Sequence, residues 1–178
     1  MKLHRSIKTV MVALFWLLSW SVMNLCAQSQ GASALTPLFS LTTVPPSGSF
    51  HVGKPIEVQV TVKNISGKEI YWAYHRSDIA YKAFRVRLTQ NGHEVETTVF
   101  DRKITGRPRP DDPVDSDWFG GSTIALPLAS DASFTWKLDL TKLYMIQSPG
   151  IYKLDICRPD QYSKTNVCSK SVILTVVQ

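Results

Sequence analysis

Cysteine and histidine are scarce. The 178 residues hold three cysteines and four histidines. No C-x-x-C pair occurs, which excludes a thioredoxin-type redox motif. The two late cysteines, in "CRPDQYSKTNVC" (157–168), stand too far apart for the close pairs of a structural zinc site, and no histidine follows them. No histidine sits in H-E-x-x-H and no serine in G-x-S-x-G. Neither a zinc protease signature nor a nucleophile elbow is therefore present. Helical periodicity is also missing. After residue 27 no apolar pattern at helical spacing runs beyond two turns, which disfavours α/β architectures. Acidic residues are absent from the first 27 positions, where Lys2, Arg5 and Lys8 stand. Without those three charges the formal +6 falls to about +3. That excess suits a solvated surface and not the clustered basic face of a nucleic-acid binder.

What is present points to export and to one domain. Apolar residues make up 44% of the chain, enough for a real core. "MKLHRSIK" is a basic leader and "TVMVALFWLLSWSVMNL" an apolar stretch of signal-peptide type. Small residues at "LCA" (25–27) and "ASA" (32–34) fit cleavage after residue 27 or as late as 34. Two alternatives stay open. The apolar stretch is long enough for a short uncleaved membrane anchor. Cys26 is a conceivable lipid attachment point, although Leu25 and Asn24 precede it where small residues are wanted. The expected organisation is a signal peptide over 1–27, a flexible leader over 28–36 and one domain over 37–178, secreted or periplasmic. If Cys26 leaves with the signal, Cys157 and Cys168 form an even pair in an oxidising compartment, and a disulfide is expected.

The domain reads as strands. In "IEVQVTVK", Ile56, Val58, Val60 and Val62 alternate with polar residues, the pattern of a strand with one dry face. "PLFSLTTV" (37–44), "IYWAYH" (70–75), "AFRVRLTQ" (83–90), "TIALPLA" (123–129), "FTWKLDL" (134–140), "IYKLDIC" (151–157) and "SVILTVV" (171–177) read similarly. Asn91-Gly92 predicts a hairpin with "HEVETTVF" (93–100) as its return strand. "TKLYMIQ" (141–147) predicts one helical turn crossing between sheets. The stretch 101–122, rich in proline, glycine and charge, predicts a long surface loop. About seven to nine short strands predict an all-β, antiparallel sandwich. The cysteines raise a difficulty. By alternation Cys157 shares a face with the outward Lys153 and Asp155, whereas Cys168 shares parity with the inward Val172 and Leu174. A bulge near Lys170, or cysteines just beyond the ladder ends, would reconcile them.

"SPGIYKLDI" resembles the entry to the penultimate strand of bacterial immunoglobulin-like modules, and "VGKPIEVQVTVKNISGKEI" resembles their second strand. The resemblance covers residues 37–178. It implies an immunoglobulin-like sandwich with Tyr152 as the tyrosine-corner residue, its hydroxyl on nearby backbone. It also implies a binding or structural module, not an enzyme. A second similarity, carried by "FTWKLDL…PGIYKLDI", is to proteinase-inhibitor-like sandwich domains.

Candidate contacts concentrate in 101–122. Trp118 and Phe119 stand before two glycines, and Arg107 and Arg109 precede the acidic run Asp111, Asp112, Asp115 and Asp117. The run lacks the spacing of a calcium loop and reads as solvated. Arg85, Arg87, Arg102 and Lys103 read as a wet sheet face. Among Tyr71, Trp72 and Tyr74, the rings facing outward would stack on sugars or on a partner. Asn64-Ile65-Ser66 is a formal glycosylation acceptor. No cofactor, metal or catalytic residue is expected. A protein or glycan partner is. The alternatives to a binding module are a proteinase-inhibitor-like module and a hydrolase whose site does not show in the sequence.

Overall fold

The computed structural model describes residues 36–75, 81–113 and 123–178. The signal segment with its cleavage sites, and Trp118 and Phe119, lie outside the described residues. In chain order the elements are β1 (Phe39–Val44), β2 (Phe50–His51), β3 (Glu57–Asn64), β4 (Ile70–His75), β5 (Arg85–Gln90) and β6 (His93–Glu94). A short helix α1 (Val99–Ile104) follows, then β7 (Thr123–Leu128), β8 (Ser133–Asp139) and the turn-length helix α2 (Leu140–Leu143). The chain closes with β9 (Gly150–Pro159), β10 (Asn166–Cys168) and β11 (Val172–Val177). Eight of these strands have six residues or more, within the expected number, and β2, β6 and β10 are fragments of two or three.

A three-stranded sheet runs β1-β3-β8, a larger one runs β2-β11-β9-β5-β6 with β10 added to β9, and β4 and β7 pair as a third, two-stranded sheet. All pairings are antiparallel except β2 with β11. The alternation in the sequence sets which residues face the core. Val58, Val60 and Val62 of β3 and Leu138 of β8 meet Leu88 of β5, Tyr152, Leu154 and Ile156 of β9 and Leu174 of β11 in one apolar cluster. Full burial of each such aliphatic side chain stabilises by about 1.5–3 kcal/mol relative to exposure. Rings fill the end of the core: Trp72 meets Phe39 edge-on at 5.0 Å and Trp136 at 5.9 Å.

Turn chemistry fixes the connections. Asn91 and Gly92 both adopt positive φ, 52° and 82°, the geometry that suits a two-residue hairpin between twisted strands. Tyr152 is buried, and its hydroxyl donates to the Ser148 carbonyl at 2.7 Å, pinning the turn that enters β9 as in a tyrosine corner. Asn64 is fully buried at the end of β3. Its amide nitrogen donates to the Lys68, Leu128 and Ala129 carbonyls, and its side-chain oxygen accepts from Ser66. The formal glycosylation acceptor is therefore a structural knot joining β3 to the end of β7, with its amide already engaged.

Four expectations are corrected. The return strand of the Asn-Gly hairpin ends at Glu94, not at residue 100, because Thr98 caps a helix: its side chain accepts the Asp101 amide at 3.1 Å. Asp101 in the first turn and Arg102 and Lys103 in the last suit the dipole of α1, so the stretch 101–122 opens inside a helix and not as a loop. Arg102 is not on a wet sheet face. It lies on α1 with its side chain 11% exposed and forms a two-pronged ion pair with Asp112, whose side chain is 3% exposed. The acidic run is thus not uniformly solvated.

Candidate functional site

The parity difficulty of the cysteines is resolved by a shift of register. Cys157 and Cys168 face each other directly across β9 and β10 and are joined by a disulfide. Between Cys168 and Val172, three residues of one strand oppose two of the other, since Val172 pairs with Leu154. The extra residue is a bulge at 169–171, and the Ser169 amide still donates to the Ile156 carbonyl at 3.0 Å.

Asp160 organises the turn that this disulfide closes. Its carboxylate is buried and accepts from the Leu38 amide, the Tyr162 amide and the Ser163 hydroxyl, while its own amide donates to the Thr165 carbonyl. Burial pushes this acid up, but the donors, led by Ser163, outweigh it and hold the carboxyl below the usual range. Arg158 anchors the same hairpin to the core, its guanidinium 3.8 Å from the Trp72 ring. Burial lowers Arg158 to about 10. Tyr162 stands at the tip of the hairpin, 62% exposed.

A cleft of about 680 Å³ opens elsewhere, between β5 and α1. The chain builds it by lacing two segments together. The Thr98 amide donates to the Leu143 carbonyl and the Met145 amide to the Glu96 carbonyl, which holds α1 against the end of α2. Asp112 then fixes the turn after α1, accepting both Arg102 and the Arg109 amide. At the back of the cleft the Tyr144 hydroxyl donates to the Val86 carbonyl at 2.7 Å. It thereby covers a stretch of β5 that β6 is too short to pair, a protection for an open strand edge. Burial, helped by the Asp101 charge, pushes the Tyr144 hydroxyl up to about 12.

The cleft is polar and unevenly charged. Lys82, Arg85, Arg87 and Arg107 line it, against Glu94 and Asp101. Arg87 and Glu94 neutralise each other at 3.0 Å. Burial raises the Asp101 carboxyl, opposed by the nearby Arg107 and Arg102. The structure thus brings Arg107 into a cavity that the sequence did not reveal, while Arg109 turns aside to Glu96 at 2.8 Å. Lys82, Arg85, Asp101 and Tyr144 were not singled out as a group. Thr98-x-x-Asp101, a capping pattern, was the available signal for the helix that assembles them.

Of the aromatic strand, Trp72 is core and Tyr71 faces out. Tyr74 belongs to β4, but its side chain is outside the described residues. The His51 ring is 2.8 Å from the Gln178 carbonyl at the sheet end, and His93 occupies the β5–β6 hairpin; neither lines the cleft. Among the described residues no three metal-ligating side chains cluster, and no helix is long and apolar enough to cross a membrane.

The antiparallel sheets around one core, with the tyrosine corner, define an all-β immunoglobulin-like sandwich. No family model and no curated protein matches the sequence. Among solved structures the chain is similar to a CARDB domain from Pyrococcus furiosus, with 14% identity over 79% of this chain and 95% of that one, at a TM-score of 0.40. It is also similar to a β-glucosidase from Listeria innocua in complex with glucose. There the identity is 19%, over 79% of this chain but only 16% of the enzyme, at a TM-score of 0.38.

Proposed function

We propose that this chain is an exported, non-enzymatic binding module whose contact region is the cleft between β5 and α1. The observation that carries the reading is the cleft itself. Its volume lies within the range of small-molecule sites, and it is held between a sheet and a clamped helix. Export is supported by the first 27 residues and by the Cys157–Cys168 disulfide, since such bonds persist in oxidising compartments. A protein or glycan is the expected class of partner, of which the cleft, by its volume, would take one small group. Trp118, Phe119 and Arg109 stay candidate contact residues in this reading. The test is affinity capture from the native envelope with the purified exported protein. Capture that is lost in Arg85→Glu/Arg107→Glu and retained in Lys170→Glu supports the cleft. Equal capture by all three proteins rejects it.

One observation favours the proteinase-inhibitor-like reading as the alternative. The hairpin 157–168 is closed by a disulfide, ordered by Asp160 and tipped by the exposed Tyr162. Incubation with a protease that cuts after aromatic residues separates the readings. Inhibition with the loop intact supports an inhibitor, whereas rapid cutting at Tyr162 without inhibition removes it.

A further inference from the structure

The cleft contains more positive charge than its own acids neutralise. Arg87 and Glu94 form a closed pair. The side chains of Lys82, Arg85 and Arg107 have no hydrogen-bonded or ion-paired partner among the described residues. All three are exposed residues on the wall of one cavity, from three segments: the turn before β5, β5 itself and the turn after α1. Asp101 is the single remaining acid. Arg102 is not available to it, because Asp112 holds both prongs of that guanidinium. The charges that face Asp101 are Arg107 and Arg102, with the neutral Tyr144 hydroxyl behind it.

Guanidinium groups present forked donors that match the geometry of carboxylate and phosphate oxygens. Two such forks and an ammonium around one cavity form a receptor for a compact multivalent anion. The Asp101 carboxyl, when ionised, opposes that ligand, or accepts a hydroxyl from it. Resting on the reading of this cleft as a binding site, we infer that its ligand is a small oxyanion carrying at least two negative charges, the chemistry shared by a polycarboxylate and a phosphate ester. Arg85 and Arg107 grip the oxygens, Lys82 supplies a third charge, and Asp101 sets a limit on affinity.

The experiment titrates the purified exported protein with inorganic phosphate, with citrate and with maltose, each at matched ionic strength in chloride, and follows backbone amide shifts. Saturable shifts at cleft residues with either anion, at a Kd of about 1 mM or tighter, are the expected result. Response to citrate alone assigns the carboxylate source, and response to phosphate alone the phosphate source. The folded Arg85→Gln/Arg107→Gln variant should bind at least about tenfold more weakly. Asp101→Asn removes the opposing charge while keeping the capped backbone, and should tighten binding by about threefold or more. Saturation by maltose with no response to either anion overturns the anion assignment and keeps the cleft as a binding site. Shifts that chloride alone reproduces, or no saturable response to any ligand, overturn both.

Discussion

Two loops of this molecule are tied down by different chemistry. The hairpin between β9 and β10 is closed covalently by Cys157–Cys168 and lined by hydrogen bonds to Asp160. The turn after α1 is closed without a covalent bond, by the Arg102–Asp112 ion pair and the hydrogen bond from the Arg109 amide to the same carboxylate. The first closure joins residues that face each other in one ladder. The second joins residues on a helix and on the turn beyond it, and its strength depends on the charge of one carboxyl. The covalent loop should therefore hold its shape over a wide range of pH, and the ionic one only while Asp112 is ionised. It is the ionic loop that carries Arg107 and borders the cleft.

Removing the disulfide should have the largest effect. Cys157→Ser/Cys168→Ser should lose about 2–3 kcal/mol in chemical denaturation. If the loss is near zero, the hydrogen bonds of Asp160 close the loop by themselves and the contrast between the loops is weaker than drawn. Asp160→Ala comes next, at about 2 kcal/mol, because it removes the acceptor of the buried Ser163 hydroxyl and of the part-buried Leu38 and Tyr162 amides. A loss much below 1 kcal/mol would mean water replaces the carboxylate freely.

Acid should separate the two loops directly. Asp112 is held well below the usual carboxylate range, by the Arg102 side chain first and the Arg109 amide second. A depressed folded pKa gives stability that is complete above the unfolded value, about 4, and is lost as pH falls through the folded one. Protection of the amides of residues 105–112, measured against their intrinsic exchange rates, should fall below about pH 4, while that of 166–168 stays high. Asp112→Asn should remove this pH dependence and leave the turn weakly protected at all pH. Parallel loss of protection in both loops would show that the disulfide does not insulate its hairpin. The smallest effect is expected at the tip of the covalent loop. Tyr162→Ala should change stability by less than about 0.5 kcal/mol, because most of the residue is exposed. A larger loss would place the ring in the fold instead of at a surface free for partners.

The strand framework could be read directly because period-2 alternation and turn residues are local signals. β3 and β9 fall where Ile56-to-Val62 and Tyr152-to-Ile156 place them, and Asn91-Gly92 makes the hairpin its dipeptide demands. Alternation fails as a guide where a strand is too short to show it. Residues 95–100 are apolar and β-branched enough to extend a strand, yet Thr98 stops the ladder by capping α1. Arg102 shows the same limit. Charge on a surface-type residue predicts solvent, and only the return of the chain at Asp112 removes it from solvent. The cleft was invisible for that reason: its walls come from β5, α1 and the end of α2, far apart in sequence.

Residue order alone decided the all-β class, the inward faces of the long strands and the pairing of the two late cysteines. Each rests on local chemistry: alternation, turn propensity, and an even pair of thiols with a signal-type leader. Tertiary structure decided the bulge that lets Cys157 and Cys168 meet and the burial of Asn64 as a knot. It also decided the clamp on Asp112 and the gathering of Lys82, Arg85 and Arg107 around one cavity. Those features depend on which distant segments share a register or a wall. The free energy of ion pairs and buried amides depends on that surrounding, not on the residue's neighbours along the chain.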